Sequence, residues 1–138
     1  MKPLELLSLD LGQARTGIAR ASSAAGLAEP LMTVPTKDIF TKLDELISKN
    51  KVGAVVVGLP RNLEGHDTEQ TIWVRDWVAA AKSKLDVPLF WQDEALTTKI
   101  VETKPRSGKY TNPDADSKAA AIILQDFLNT PDSDRLRA

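Results

Sequence analysis

The chain has 138 residues, 42% hydrophobic and 27% charged, with no cysteine and a formal net charge of −1. These values fit a single domain with its own core, expected over residues 1–130 with a flexible tail at 131–138, and they exclude disulfides, thiolate metal sites and a cysteine nucleophile. No apolar run approaches the roughly 20 residues of a membrane span, no signal peptide is expected, and the balanced charge argues against binding nucleic acid by bulk electrostatics; the expected compartment is the cytoplasm.

Leu4–Asp10 and Arg15–Arg20 read as two strands joined by a Gly-containing turn, and Leu31–Val34 as a third. Val34-Pro35-Thr36 has the form of a strand end followed by a helix cap. Ile39, Phe40, Leu43, Leu46 and Ile47 then recur at three- and four-residue spacing, which predicts an amphipathic helix. Gly53–Gly58 is a continuous apolar run with β-branched residues, the pattern of a strand covered on both faces. A polar loop spans Pro60–Asp67. Trp73, Val74, Trp77, Val78, Ala81 and Leu85 form the stripe of a second helix, and Pro88–Gln92 a further strand that ends at Asp93-Glu94. A short helix around Leu96–Thr103, a basic loop and a last helix over Asp116–Leu128 complete the order. A leading antiparallel meander followed by alternating units predicts a mixed sheet with helices packed on it.

Three acidic positions stand out. Asp10 ends the first strand, where an isolated carboxylate is costly to desolvate unless a positive group sits beside it; the competing role is a turn cap. Asp116 falls on the same helical stripe as Ala119, Ala120, Ile123, Leu124 and Phe127, so it faces the core. Its competing role is helix capping or a dipole interaction. Asp93 and Glu94 end the last strand and point to opposite faces, so one of them can join Asp10, and parity alone leaves both open. Together, three hard oxygen donors at one point suit Mg²⁺ or Mn²⁺, and such ions support phosphodiester hydrolysis. The single histidine, His66, lies in a polar loop and is expected at the surface. From Lys99 to Lys109 four cations (Lys99, Lys104, Arg106, Lys109) oppose one acid, Glu102, and could hold a phosphate backbone beside the acids; the competing reading is a solvated loop.

The motifs Leu9-Asp10-Leu-Gly12 with Arg15-Thr-Gly17-Ile-Ala, Val56-Val-Gly58-Leu-Pro60-Arg-Asn62-Leu-Glu-Gly65, Asp93-Glu94-Ala-Leu96-Thr97-Thr98 and Asp116-Ser-Lys-Ala-Ala-Ala-Ile-Ile-Leu124 occur in one order along nearly the whole chain. In that order they resemble the YqgF/RuvX family of Holliday-junction-resolvase-like proteins, proposed to be pre-16S rRNA nucleases. The resemblance implies an α/β, ribonuclease H-like fold, a five-stranded mixed sheet flanked by helices, and divalent-metal-dependent cleavage of RNA or branched DNA. It carries the catalytic and metal-binding roles onto Asp10, Glu94 and Asp116, with Asp93 in a supporting position behind them. The expected substrate contacts are Arg15, Asn62, Lys99, Arg106 and Lys109, the cofactor Mg²⁺ or Mn²⁺, and the assembly a monomer or homodimer.

The chain departs from the family pattern in three places. Ala14 stands where a basic residue often precedes the matched arginine, Ala95 replaces the arginine of an Asp-Glu-Arg motif, and the basic loop before Asp116 is sparse. Each departure removes positive charge near the acids. They favour an alternative class, a nucleic-acid-binding or assembly module with weak or no cleavage, whereas retention of all three acids favours the enzyme. The Asp10-x-Gly12-x₄-Gly17 spacing also resembles the first phosphate-binding segment of actin-like and sugar-kinase ATPases, but those enclose nucleotide between two such lobes and 138 residues supply one.

Overall fold

Strand β1 (Glu5–Leu11) is buried along most of its length, and its alternation sorts the molecule into layers. A computed structural model describes residues 4–60, 66–93 and 113–138. Leu7, Leu9 and Leu11 of β1 enter one core, while Leu6 enters another on the opposite face. The other elements are β2 (Arg15–Ser22), β3 (Ala28–Pro35), α1 (Ile39–Asn50), β4 (Val52–Leu59), α2 (Glu69–Ala81), β5 (Leu89–Asp93), α3 (Pro113–Asn129) and β6 (Leu136–Arg137). They form one mixed sheet in the order β3-β2-β1-β4-β5-β6. β1, β4 and β5 run parallel in its centre, and β2, β3 and β6 pair antiparallel.

The two faces are built from different side chains. Toward α1 and α2 the sheet presents Leu7, Leu9, Ile18, Val55, Val57 and Leu89, large residues that meet Ile39 and Leu43 of α1 and Val74 and Val78 of α2. Toward α3 it presents smaller ones, Ala19, Ala21 and Ala54 with Leu6 and Val56, against Ala120, Ile123, Leu124 and Phe127. Small residues let a single helix lie close to the strands, and the large ones fill the space under two helices. The buried stripe expected on the last helix is therefore present at Ala120, Ile123, Leu124 and Phe127. Trp73 and Trp77 of α2 are half-buried against the first core, and Trp77 stacks on Phe40 with ring centroids 5.0 Å apart.

The expected mixed α/β sheet is present, with one correction to its strand count. A sixth strand, β6, comes from the stretch read as a tail: Leu136 pairs with Trp91 and Arg137 with Phe90, and the Ala138 amide donates to Leu89 O at 2.8 Å. The physical reason is the backbone of β5, whose outer edge carries donors and acceptors that need partners. A two-residue strand has too few side chains to announce itself by alternation. Arg135 anchors this return, lying over the Phe127 ring at 4.4 Å and donating from Nε to Phe127 O at 3.2 Å. The short helix expected at Leu96–Thr103 lies outside the described residues.

On the α1/α2 side, polar groups tie down the turn that follows β1. Thr36 Oγ1 donates to Gly12 O at 2.6 Å, so the 2.8 Å contact between Thr16 and Thr36 hydroxyls has Thr16 as its donor. The Thr36 amide donates to Ala14 O at 3.0 Å, and Gln70 Nε2 at the start of α2 donates to Leu11 O at 3.1 Å. Thr71 Oγ1 donates to Pro60 O, and Thr68 and Thr71 form a capping box at the same helix start. The ends of β1 and β4 are thus fastened to the first turn of α2 and to Thr36. Thr36→Val should keep the shape of the residue while leaving Gly12 O and the Thr16 hydroxyl without this partner. The expected loss is about 1–3 kcal/mol, read as a lowered urea midpoint at unchanged m-value.

Candidate acidic site where β1 meets α3

Asp10 shares its face of β1 with Leu6 and Ser8, so its side chain belongs to the α3 side of the sheet. Across the antiparallel pair its register partner is Gly17. A Cβ built on Gly17 would lie 2.0 Å from Asp116 O, 2.2 Å from Asp116 C and 2.8 Å from Ser117 N. No real side chain tolerates such distances. The first turn of α3 therefore rests on the bare backbone of Gly17, and this contact brings Asp116 beside the strand position paired with Asp10.

A second contact sets the direction of the helix. Ser8 Oγ, fully buried, donates to Ala120 O at 2.6 Å. Two residues of strand advance about 6.6 Å and four residues of helix about 6 Å. Ser8 against Ala120 and Asp10 near Asp116 are thus one alignment, with α3 running back along β1. Asp116 is the fourth residue of α3, inside the helix and not at its cap. A carboxylate in the first turn is favoured by the helix dipole.

Arg15 opens β2 on the same face as Gly17, Ala19 and Ala21. Its Nε lies 3.3 Å from Asp116 Oδ2, with side-chain exposures of 31% and 20%. Both atoms are sealed from solvent, yet neither has a hydrogen-bond partner among the described residues. The contact is a charge pair without aligned N–H···O geometry. The turn before Arg15 is tight, since a Cβ on Gly12 would lie 2.5 Å from Arg15 O. Arg15 is therefore delivered to Asp116 by a turn that Thr36 holds from the other face.

Of the expected site residues, the structure brings together Asp10, Arg15 and Asp116. Asp93 is exposed at the end of β5, paired in register with Leu59. By alternation it lies with Leu89 and Trp91 on the α1/α2 side, while Phe90 packs on the α3 side. Glu94, Asn62, Lys99, Arg106 and Lys109 lie outside the described residues. His66 is exposed, as expected. Among the described residues no three acids or histidines gather into a metal-binding group. The donors present nonetheless fit a hard divalent cation: two carboxylates on one face, one with an oxygen that is buried and makes no hydrogen bond.

Sequence reasoning missed Gly17 and Ser8. Gly17 lies inside β2, within the strand expected at Arg15–Arg20, and a glycine within a strand often marks close backbone approach. Ser8 offered a signal too, a hydroxyl two residues before Asp10 in an otherwise apolar run.

A mixed sheet with one closely seated helix and acids at the meeting point of strand and helix defines a ribonuclease H-like fold. Two structures of Thermus thermophilus RuvC share it. One, in complex with a Holliday junction substrate, superposes with a TM-score of 0.60 at 15% identity, covering 98% of this chain and 99% of that one. The other gives 0.60 at 14% identity over 98% and 100%. The family model for RuvX, described as Holliday junction resolvase, matches residues 4–130, and the chain belongs to that family. Relatives named "Putative pre-16S rRNA nuclease" include one from Orientia tsutsugamushi, 34% identical over 90% of this chain and 83% of its own. Another, from Roseiflexus, is 34% identical over 94% of this chain and 96% of its own. Among the described residues no helix is long and apolar enough to cross a membrane.

Gly17→Ala should force α3 away from β2. The expected cost is about 1–3 kcal/mol, seen in chemical denaturation, together with faster amide exchange in the first turns of α3.

Proposed function

We propose that this protein is a metal-dependent nuclease that hydrolyses phosphodiester bonds in RNA, with Asp10, Glu94 and Asp116 as its acidic centre. The observation that carries this reading is the convergence of Asp10 and Asp116 across Gly17, because a packing role needs neither acid on a shared face. Asp93 lies by alternation with Leu89 and Trp91 on the α1/α2 side, away from Asp10 and Asp116, and this supports the family resemblance in giving the third acid to Glu94. Membership of the RuvX family and the names of the relatives favour precursor 16S rRNA as the RNA.

In this reading Asp10, Glu94 and Asp116 hold Mg²⁺ or Mn²⁺, which when bound eases deprotonation of the attacking water and balances charge on the departing oxygen. The carboxylates orient that water toward phosphorus. Asp116 is kept in place by the backbone contact at Gly17 and by the Ser8 bond one helical turn further along. Water adds at phosphorus as one ester oxygen leaves, and the proton lost by the water ends in solvent while another is regained by the departing oxygen. Arg15, Asn62, Lys99, Arg106 and Lys109 are the proposed contacts to the phosphate backbone, with Asp93 supporting the acids from outside.

A second reading, a module that binds nucleic acid without efficient cleavage, is favoured by the engagement of Arg15 with Asp116. One experiment separates the two. Purified protein is incubated with a precursor-type 16S rRNA fragment, single-stranded RNA and a four-way DNA junction, with Mg²⁺, Mn²⁺ or EDTA. Cleavage of the rRNA fragment is expected only with added metal, and Asp10→Asn, Glu94→Gln and Asp116→Asn should each reduce it roughly a hundredfold or more. Binding of all three substrates without cleavage in any metal would establish the module instead. Preferred cutting of the junction would move the substrate to branched DNA. Arg106→Ala and Lys109→Ala should each weaken binding and flatten its salt dependence by roughly one unit of log–log slope.

A further inference from the structure

Two arginines of β2 make ion pairs of different kinds. Arg20 donates from Nε to Glu5 at 2.6 Å and from Nη1 to Glu29 at 2.7 Å, short aligned bonds that clamp three adjacent strands. Arg15 meets Asp116 at 3.3 Å with no hydrogen bond, although both atoms are sealed from solvent. An arginine that orients a carboxylate does so through aligned, often bidentate bonds. Arg15 supplies positive charge to Asp116 without fixing its direction.

A carboxylate with one oxygen sealed from water is helped by such charge, because an uncompensated anion away from water is expensive. The same charge opposes any cation that approaches Asp116. The guanidinium and a divalent ion would compete for one carboxylate and repel each other at close range. Arg15 also keeps 31% of its side chain exposed and follows a tight turn at the edge of the site, so its outer end can turn to another anion.

We propose that Arg15 is an exchangeable counter-ion of Asp116, released to a nucleic-acid phosphate when a divalent cation takes its place. The inference rests on the reading of Asp116 as a metal ligand. Its consequence is reciprocal coupling: the phosphodiester draws Arg15 away and strengthens cation binding, and the cation frees Arg15 and strengthens phosphodiester binding. Either one alone binds against the Arg15–Asp116 attraction. Arg15 is then a positioning residue for charge, one that makes metal and substrate assemble together.

The test is calorimetric titration of Mn²⁺ into the full chain, with and without a 2′-O-methyl RNA oligonucleotide as an uncleaved probe. The proteins are the unaltered chain, Arg15→Gln, Arg15→Met and Asp116→Asn, each checked for folding by circular dichroism. In the unaltered chain the oligonucleotide should tighten Mn²⁺ binding roughly tenfold. Arg15→Gln and Arg15→Met should bind Mn²⁺ roughly tenfold more tightly than the unaltered chain when no oligonucleotide is present. Their affinity should then change less than about twofold on adding it. Methionine preserves the apolar stem if glutamine disturbs the fold. A purely structural Arg15 would lower thermal stability in both variants without tightening Mn²⁺, and equal or weaker Mn²⁺ binding overturns the proposal. If Mn²⁺ binds the unaltered chain and Asp116→Asn alike, the metal-ligand reading of Asp116 fails first, and the counter-ion role with it.

Discussion

The first turn of α3 lies directly on the backbone of Gly17, closer than any side chain would allow. This contact decides where Asp116 is, because a helix seated at ordinary side-chain distance would carry its first turn away from β2. It also ties the two acids together, since Gly17 is the register partner of Asp10. The remaining small residues on that face, Ala19, Ala21 and Ala54, continue the close seat down the sheet. The bond from Ser8 to Ala120 then fixes how far along β1 the helix sits.

The opposite face holds the same strand ends from behind. Thr36 and Gln70 satisfy the carbonyls of Leu11, Gly12 and Ala14, and the first turn of α2 meets Pro60 through Thr71. Buried backbone carbonyls of a turn must find partners, and here those partners come from elements that also build the core. A turn anchored in this way can present Arg15 at one place. The acidic corner is therefore assembled from both layers of the protein, with large apolar residues behind it and a close-packed helix in front.

The chain carries less positive charge than the family pattern it resembles. Ala14 and Ala95 stand where the family pattern often carries cations, and the chain as a whole is nearly neutral. Arg15 consequently matters more than one arginine among many would. Its placement against Asp116 lowers the cost of that carboxylate's one buried oxygen and also withholds a cation from the surrounding surface. The RuvX family model matches residues 4–130, so both alanines lie within the matched region.

Much of this was readable from residues in order. Apolar runs, turn residues and helical phase located β1 to β5 and the three helices and put Asp116 on the buried side of its helix, because those patterns are local properties of the chain. They also marked Asp10 as a costly acid and Gly12 as part of a turn. Three features needed the tertiary structure. The seating of Asp116 on Gly17, the register partner of Asp10, joins elements about a hundred residues apart, and a missing side chain leaves no periodic trace. The engagement of Arg15 with Asp116 depends on the same approach. β6 forms because an edge of β5 has backbone groups to satisfy, a demand that belongs to the folded sheet and to no residue of the segment that answers it. The sequence by itself thus determined which residues are apolar, acidic or free of a side chain; the packing of α3 on β2 decided which of them meet.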